Sequence, residues 1–107
     1  MERYAGVFTS SLTDAAWEPH RFGGEIYVLC EGPEVETGLY RFAEAPEPIR
    51  WTIPGRETKL ILEGACRIEF DEGPVLEFKA GDIFSLPSGD ATWHFTAPYK
   101  EFYVLVL

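Results

Sequence analysis

The amino-acid sequence predicts an all-β domain built as a sandwich or a barrel. Short runs rich in β-branched and aromatic residues recur at roughly ten-residue spacing, and turns of Gly, Pro and Asp separate them. No long helical pattern interrupts this series. A chain of 107 residues suits one domain with one hydrophobic core. We therefore expect a single all-β domain.

The predicted strands follow one another from residue 25 to the end of the sequence. They are EIYVLC (25–30), GLYRFA (38–43), IRWTI (49–53), ETKLILEG (57–64), ACRIEF (65–70), VLEFKA (75–80), DIFSLP (82–87), ATWHFT (91–96) and EFYVLVL (101–107). Residues 1–24 have fewer strand signals, so we expect them to form an N-terminal arm packed on the barrel. Residues 25–107 should form the barrel itself.

The net charge of the chain limits the classes of partner that we expect. Nine basic against 18 acidic residues give a net charge of −9. Such a chain gains no counterion release at phosphates, so we expect neither nucleic acid nor an anionic membrane as a partner. The candidates that remain are small molecules and other proteins.

Both cysteines lie in apolar runs that are typical of buried strands. Cys30 and Cys66 are interpreted as reduced thiols, although a disulfide stays open if their strands are neighbours. The N-terminus lacks the pattern of a signal peptide, and no apolar run approaches the ~20 residues of a membrane helix. We therefore expect a cytoplasmic protein.

Two of the predicted strands are apolar on both faces. In residues 60–64 and 101–107, positions that would face solvent in a half-exposed strand also carry apolar side chains. A strand of this kind needs a second cover, either another layer or a partner subunit. We expect a homodimer in which one sheet lies against its mate.

Two sequence motifs are more specific than the strand pattern. In the first, at residues 51–64, Glu57 is followed by TKLILE and then Gly64. In the second, at residues 81–96, Gly81 is followed by DIFSL, then by the Pro-Ser-Gly of residues 87–89 and two further residues. This pair of motifs resembles the cupin superfamily. The resemblance implies a single-domain cupin fold, the jelly-roll barrel also called a double-stranded β-helix or RmlC-like fold.

The same resemblance implies that the usual cupin metal site is lost. The family's metal ligands are a His-x-His pair, the motif glutamate and a histidine of the second motif. Their positions fall here on Trp51, Ile53, Glu57 and Thr92. An indole and an aliphatic chain cannot bind a metal, and a carboxylate with a hydroxyl holds a transition metal poorly. We therefore expect no metal cofactor.

The chain is most similar to one branch of small cupins. That branch is related to the cupin domains of ureidoglycine aminohydrolase and to ethanolamine-utilisation cupins, and it shares Trp51, Trp93 and the Phe-Tyr-Val run at 102–104. In the branch a tryptophan follows the second-motif glycine by five residues, whereas Trp93 follows Gly89 by four. Either Thr92 or Trp93 therefore faces into the barrel, and the sequence leaves both arrangements open.

Glu57 and His94 are the candidate catalytic residues. Glu57 begins a strand at the barrel mouth, where an apolar wall would raise the pKa of its carboxyl and make it a general base or a ligand-binding group. Lys59 shares its face and would serve as an ion-pair partner or as a cation for an acidic substrate. If Thr92 faces inwards, His94 does too and could act as an acid or base.

Bulky side chains at the lost metal positions predict an aromatic-walled pocket for a small organic ligand. The opposing interpretation is that they fill the barrel as plain core. The expected ligand-contacting residues are Tyr40, Trp51, Ile53, Lys59, Thr92 and Trp93.

Three functions compete at this point. The favoured one is a cupin that binds a small polar metabolite without metal, and that would carry out acid–base isomerase, lyase or hydrolase chemistry if it is an enzyme. The second is a metal-dependent enzyme with the altered ligands Glu57, His94 and His20. The third is a structural or sensory dimer with a filled barrel.

Overall fold

The computed structural model describes residues 6–107 and confirms the all-β architecture, with no helix in that range. Residues 1–5, which belong to the predicted arm, lie outside the described part of the chain. The strands are β1 (Glu18–Pro19), β2 (Glu25–Glu31), β3 (Val35–Phe42), β4 (Ile49–Ile53), β5 (Arg56–Phe70), β6 (Val75–Lys79), β7 (Ile83–Leu86) and β8 (Gly89–Val106). Residues 6–107 include no helix that could cross a membrane.

All strand pairs are antiparallel, and two long strands connect the layers of the barrel. The C-terminal half of β8 lies between β3 and the first half of β5, which continues to β7. The N-terminal half of β8 lies between β4 and the second half of β5, which continues to β6. Because β5 and β8 run through both layers, the predicted strands 57–64 and 65–70 are one strand, as are 91–96 and 101–107.

The bend in β5 is centred on Gly64. The register between β5 and β8 shifts on both sides of Glu63, as expected for a bulge that lets a strand turn from one layer into the other. Gly64 has a φ of 82°, and a Cβ atom there would lie 2.4 Å from the carbonyl oxygen of Pro98. A glycine is required at this corner because a side chain would be both strained and blocked.

The hydrophobic core fills one part of the barrel. Ile61, Ile68 and Leu86 are almost completely buried there, and the rings of Phe78 and Phe84 stack with centroids 3.7 Å apart. Inward-facing residues of β2, β3, β4, β5 and β8 surround an open cavity in the other part. The filled part supports the wall that carries the cavity's charged side chains.

The segment before the barrel packs against its outside and its mouth. β1 pairs with the start of β2, and the Arg41 guanidinium lies 4.1 Å from the ring centroid of Trp17. Further upstream, Ser10 and Leu12 border a shallow depression that also exposes Phe102. This segment therefore covers part of the outer apolar face of β8.

Cys30 and Cys66 are free thiols.

Candidate functional site

The cavity inside the barrel has a volume of about 360 Å³ and is lined by both aromatic and charged side chains. Small-molecule sites usually occupy about 300–1,000 Å³, so a compact metabolite is the size of ligand that it suits. Its walls come from strands β2, β3, β4, β5 and β8, and residues 20–22 border its mouth.

Three buried charges lie together in the wall formed by β5 and β8. Glu57, Lys59 and Glu101 expose 3%, 6% and 2% of their surface. The ammonium of Lys59 donates a hydrogen bond to Glu101 Oε2, and it lies 3.2 Å from Glu57 Oε1. Buried charges must be paired because an isolated one is strongly disfavoured by desolvation. One ammonium is thus shared by two carboxylates.

The two carboxylates that share the Lys59 ammonium differ in their hydrogen bonds. Tyr99 donates a hydrogen bond of 2.6 Å to Glu101 Oε1, so both oxygens of Glu101 are engaged. Glu57 Oε1 has the ion pair with Lys59 but accepts no hydrogen bond from any described residue. A third carboxylate, Glu36, accepts a 2.5 Å hydrogen bond from the Tyr103 hydroxyl. Glu57 is therefore the carboxylate with unused hydrogen-bonding capacity.

The protonation states follow from this arrangement. Burial raises the pKa of Glu57, the nearby charges of Glu101 and Glu36 raise it further, and Lys59 opposes the shift. Burial opposes the charge of Lys59, but attraction by Glu101 and Glu57 outweighs it and raises the pKa of the ammonium. Lys59 consequently stays charged and is no nucleophile, whereas the carboxyl of Glu57 is easier to protonate than an exposed one.

Aromatic rings form another part of the cavity wall. The rings of Trp51 and Trp93 have centroids 6.1 Å apart, and the Trp93 ring centroid lies 5.2 Å from Lys59 Nζ. Trp93 is 3% exposed, and its indole Nε1 has no hydrogen-bond partner within residues 6–107. Two cavity-lining residues thus have a buried polar atom without a hydrogen-bond partner among the described residues, a donor on Trp93 and an acceptor on Glu57.

A histidine borders the mouth of the cavity. His20 Nδ1 lies 2.8 Å from the Tyr40 hydroxyl, which also donates a 2.7 Å hydrogen bond to the carbonyl oxygen of Gly23. Burial lowers the pKa of His20, and the charge of Arg21 lowers it further. The contact ties the segment before β2 to β3 at the entrance.

Five of the predicted site residues line the cavity, and three do not. Those at the cavity are Tyr40, Trp51, Glu57, Lys59 and Trp93.

Ile53, Thr92 and His94 do not line the cavity. Ile53 is 0% exposed and belongs to the hydrophobic core. Thr92 Oγ1 accepts a 2.9 Å hydrogen bond from Arg50, and His94 Nε2 lies 3.6 Å from Glu69 Oε1. The inward orientation considered for Thr92 and His94 is therefore corrected.

The correction has a simple geometric cause. Successive side chains of a strand point to opposite faces, so a turn shorter by one residue exchanges the two faces of the strand that follows. Trp93 accordingly faces inwards between Ile49 and Ile68, and its neighbours Thr92 and His94 face outwards. Of the two arrangements that the sequence left open, the structure has the one with Trp93 inside.

Two cavity carboxylates, Glu36 and Glu101, were not among the predicted site residues, and His20 was predicted only as a ligand of the alternative metal site. The positions of Glu36 and Tyr40 on β3 differ by an even number, and so do those of Glu101 and Tyr103 on β8. The period-two rule would have placed both carboxylates on the inner face once one residue of each strand had been assigned. His20 lies in an irregular segment where no periodicity applies.

The donor set at the family's metal positions does not fit a divalent cation. Trp51, Ile53 and Trp93 offer no ligand atom there, and Glu57 is already paired with Lys59. His94 lies outside the barrel, so the alternative set of Glu57, His94 and His20 does not converge. In the part of the chain that the structure describes, no group of three His, Cys, Asp or Glu side chains could hold a metal ion.

Comparison with known proteins gives a family match and a set of similar folds. The family model described as the EutQ-like cupin domain matches residues 42–103. No curated protein matches the chain.

Among solved structures, the ethanolamine utilization protein EutQ of Salmonella typhimurium LT2 superimposes with a TM-score of 0.74 at 20% identity. That match covers 90% of this chain and 82% of the other. An RmlC-like cupin from Shewanella frigidimarina has a TM-score of 0.71 at 16% identity, covering 91% and 87%. The cupin domain of Schizosaccharomyces pombe Cnp3 has a TM-score of 0.73 at 14% identity, covering 90% and 71%. These similarities establish the jelly-roll fold.

Proposed function

The chain belongs to the family of EutQ-like cupin domains, and from this premise we propose that its barrel binds a small polar molecule without the usual cupin metal. The barrel of a cupin supports unrelated activities, so the proposal has to rest on the residues of this cavity. Trp51 and Trp93 form aromatic walls, and Glu57 and Lys59 supply charge between them.

One observation carries the proposal. Two buried polar atoms at the cavity, the acceptor Glu57 Oε1 and the donor Trp93 Nε1, have no hydrogen-bond partner among residues 6–107. Leaving such a group unpaired costs about 1–3 kcal/mol, and native structures have few of them. Both residues line the cavity, and Lys59 Nζ lies 3.2 Å from the first atom and 5.2 Å from the centre of the Trp93 ring. A ligand with one donor and one acceptor would satisfy both atoms.

Glu57 is also the residue that would move a proton if the bound molecule reacts. Efficient proton transfer favours a group whose pKa approaches the working pH, and burial raises the pKa of Glu57 in that direction. Lys59 would hold the resulting carboxylate through its ion pair. His94, on the outer surface, takes no part in this chemistry.

We further propose that the protein is a cytoplasmic homodimer. Three apolar residues form a row across the sheet. Ile83 of β7, which is 71% exposed, pairs with Leu60 of β5, and Leu60 pairs with Phe102 of β8. A second copy of the chain would cover the part of this row that the N-terminal segment leaves exposed. Two free thiols suit a reducing compartment, and burial raises the pKa of Cys66 to about 12, which keeps its thiol neutral.

A fragment screen by thermal shift tests the binding function. We expect several polar fragments to raise the melting temperature of the wild-type protein and to have no effect on Glu57→Ala. The matched control is Glu72→Ala, which removes an exposed carboxyl from the turn before β6 and should respond like the wild type. Equal stabilisation of wild type and Glu57→Ala would remove Glu57 from the site, and no stabilisation by any fragment would favour a filled, structural barrel.

A further inference from the structure

We propose that the ligand of this cavity is a small organic cation, a protonated amine that also carries a hydrogen-bond acceptor. This inference rests on the proposed function and names the chemical class that the same cavity selects. Three features support it: the balance of charge inside the barrel, the free oxygen of one carboxylate, and the faces of the surrounding aromatic rings.

The first feature is an excess of negative charge at the cavity wall. Of the cavity-lining residues of the barrel strands β2–β8, three are carboxylates, Glu36, Glu57 and Glu101, and Lys59 is the ammonium. Arg21 borders the mouth with an exposed side chain, where solvent screens it. A ligand carrying one positive charge would reduce this imbalance, whereas an anionic ligand would increase it.

The second feature is that the unused hydrogen-bonding capacity in the charged cluster belongs to a carboxylate, Glu57, which can only accept. Lys59 donates to Glu101, and Tyr99 satisfies the remaining oxygen of that carboxylate. Two buried carboxylates already offset the charge of Lys59, so a ligand carboxylate or phosphate would meet net negative charge there. Glu57 lines the cavity and is 3% exposed, and its buried Oε1, although ion-paired with Lys59, accepts no hydrogen bond from the described residues. A charge-assisted hydrogen bond from an ammonium is the strongest contact that such an oxygen can make.

The third feature is the orientation of the rings around the internal ammonium. Lys59 Nζ lies 5.2 Å from the ring centroid of Trp93 and 5.6 Å from that of Tyr103. The negative face of an aromatic ring attracts cations, and the rings of Trp51 and Phe95 also line this cavity. Trp51, on the far side of Trp93, extends the aromatic wall along the cavity. The unpaired Trp93 Nε1 adds a donor, which is why the ligand should also carry an acceptor such as a hydroxyl.

Three probes of equal length separate the alternatives. Aminopentanol, hexanol and hydroxyhexanoate share a hydroxyl and a chain of five methylene groups, and they end in an ammonium, a methyl and a carboxylate. Their dissociation constants at neutral pH are measured by protein-observed NMR titration of the full chain. We expect aminopentanol to bind about tenfold tighter than hexanol, and hydroxyhexanoate to bind more weakly than both.

Charge-removing variants test whether the preference comes from the cavity. Glu57→Gln keeps the shape of the side chain and removes its charge, so the ratio between aminopentanol and hexanol should fall towards one. Glu72→Gln makes the same change on the surface and should leave the ratio unchanged. If Glu57→Gln does not fold, Glu36→Gln provides a second test because Glu36 is only partly buried.

The outcomes distinguish this inference from the function beneath it. Equal binding of aminopentanol and hexanol, or preferential binding of hydroxyhexanoate, would overturn the cation class and leave small-molecule binding intact. Failure of all three probes would also overturn the cation class. Binding by the barrel would then be judged on the fragment screen alone.

Discussion

Lys59 Nζ lies 3.2 Å from Glu57 Oε1, yet the hydrogen bond from Lys59 goes to Glu101 on the neighbouring strand. The two residues alternate with Thr58 on β5, so the pleat of one strand brings opposite charges onto one inner face. Glu101 is fully engaged and Glu57 is not. This inequality leaves Glu57 as the carboxylate of the cluster with unused hydrogen-bonding capacity.

Removing the shared ammonium should destabilise the fold. Lys59→Met leaves Glu57 and Glu101 buried without a cation, and loss of one partner from a buried ion pair costs about 3–5 kcal/mol. Urea unfolding at neutral pH measures the free energy of unfolding. Lys79→Met, at a side chain that is 80% exposed, should change it little. Equal effects of the two variants would show that the buried cluster does not stabilise the barrel.

Stability should also depend on pH through Glu57. A carboxyl whose pKa is higher in the folded than in the unfolded state holds its proton better when folded. The free energy of unfolding should therefore fall as the pH rises from the ordinary value of 4.5 through the raised pKa of folded Glu57, which is set by burial, Glu101 and Glu36 against Lys59.

The test compares urea unfolding of the wild type and Glu57→Gln over this pH range. The wild type should lose stability relative to the variant as the pH rises. Glu72→Gln should run parallel to the wild type, since Glu72 is exposed. A wild-type curve that gains stability relative to Glu57→Gln would mean that the pKa of Glu57 is lowered in the folded state.

His94 should be dispensable for ligand binding. Its side chain lies on the outer face beside Glu69, on the side of β8 opposite to Trp93. We expect His94→Ala to keep the affinity for any fragment that binds the wild type, as measured by NMR titration. A loss of affinity of tenfold or more, which corresponds to about 1.4 kcal/mol, would place His94 at the site and support the catalytic role predicted from the sequence.

The corner of β5 should tolerate no side chain. Gly64 and Gly81 both have positive φ angles, 82° and 94°, so alanine is strained at each by about 1–3 kcal/mol. A Cβ at Gly81 meets nothing within 4 Å, whereas one at Gly64 lies 2.4 Å from a backbone oxygen. Gly64→Ala should therefore lower the free energy of unfolding by about 2 kcal/mol more than Gly81→Ala. Equal losses would indicate that the corner can relax.

The fold was predictable because its signals are local and repeated. The turn residues and the two glycine-containing motifs mark the jelly roll, and the family model matches residues 42–103 around them. The continuity of β5 and β8 was not predictable, because the bulge at Gly64 looks like a strand end in sequence. Only the pairing across the barrel shows that the strand continues.

The site was predictable in part, for a related reason. Glu57, Lys59 and Trp51 follow from the first motif and from strand alternation. Trp93 required knowing the length of one turn, because an offset of one residue exchanges the faces of the next strand. Glu101 required knowing that β8 crosses the layer that carries Lys59. Such neighbours are set by barrel closure, which no local pattern contains.

The indole resonances of the protein test the central claim most directly. The chain has three tryptophans, so a proton–nitrogen NMR spectrum has three indole signals, which Trp→Phe variants assign to Trp17, Trp51 and Trp93. If the barrel binds a small polar molecule through Glu57 and Trp93, adding a bound fragment should shift the Trp93 Nε1–H signal and leave that of Trp17, in the arm, unchanged. A fragment that binds and moves only the Trp17 signal, or a full screen that never moves the Trp93 signal, would contradict the claim.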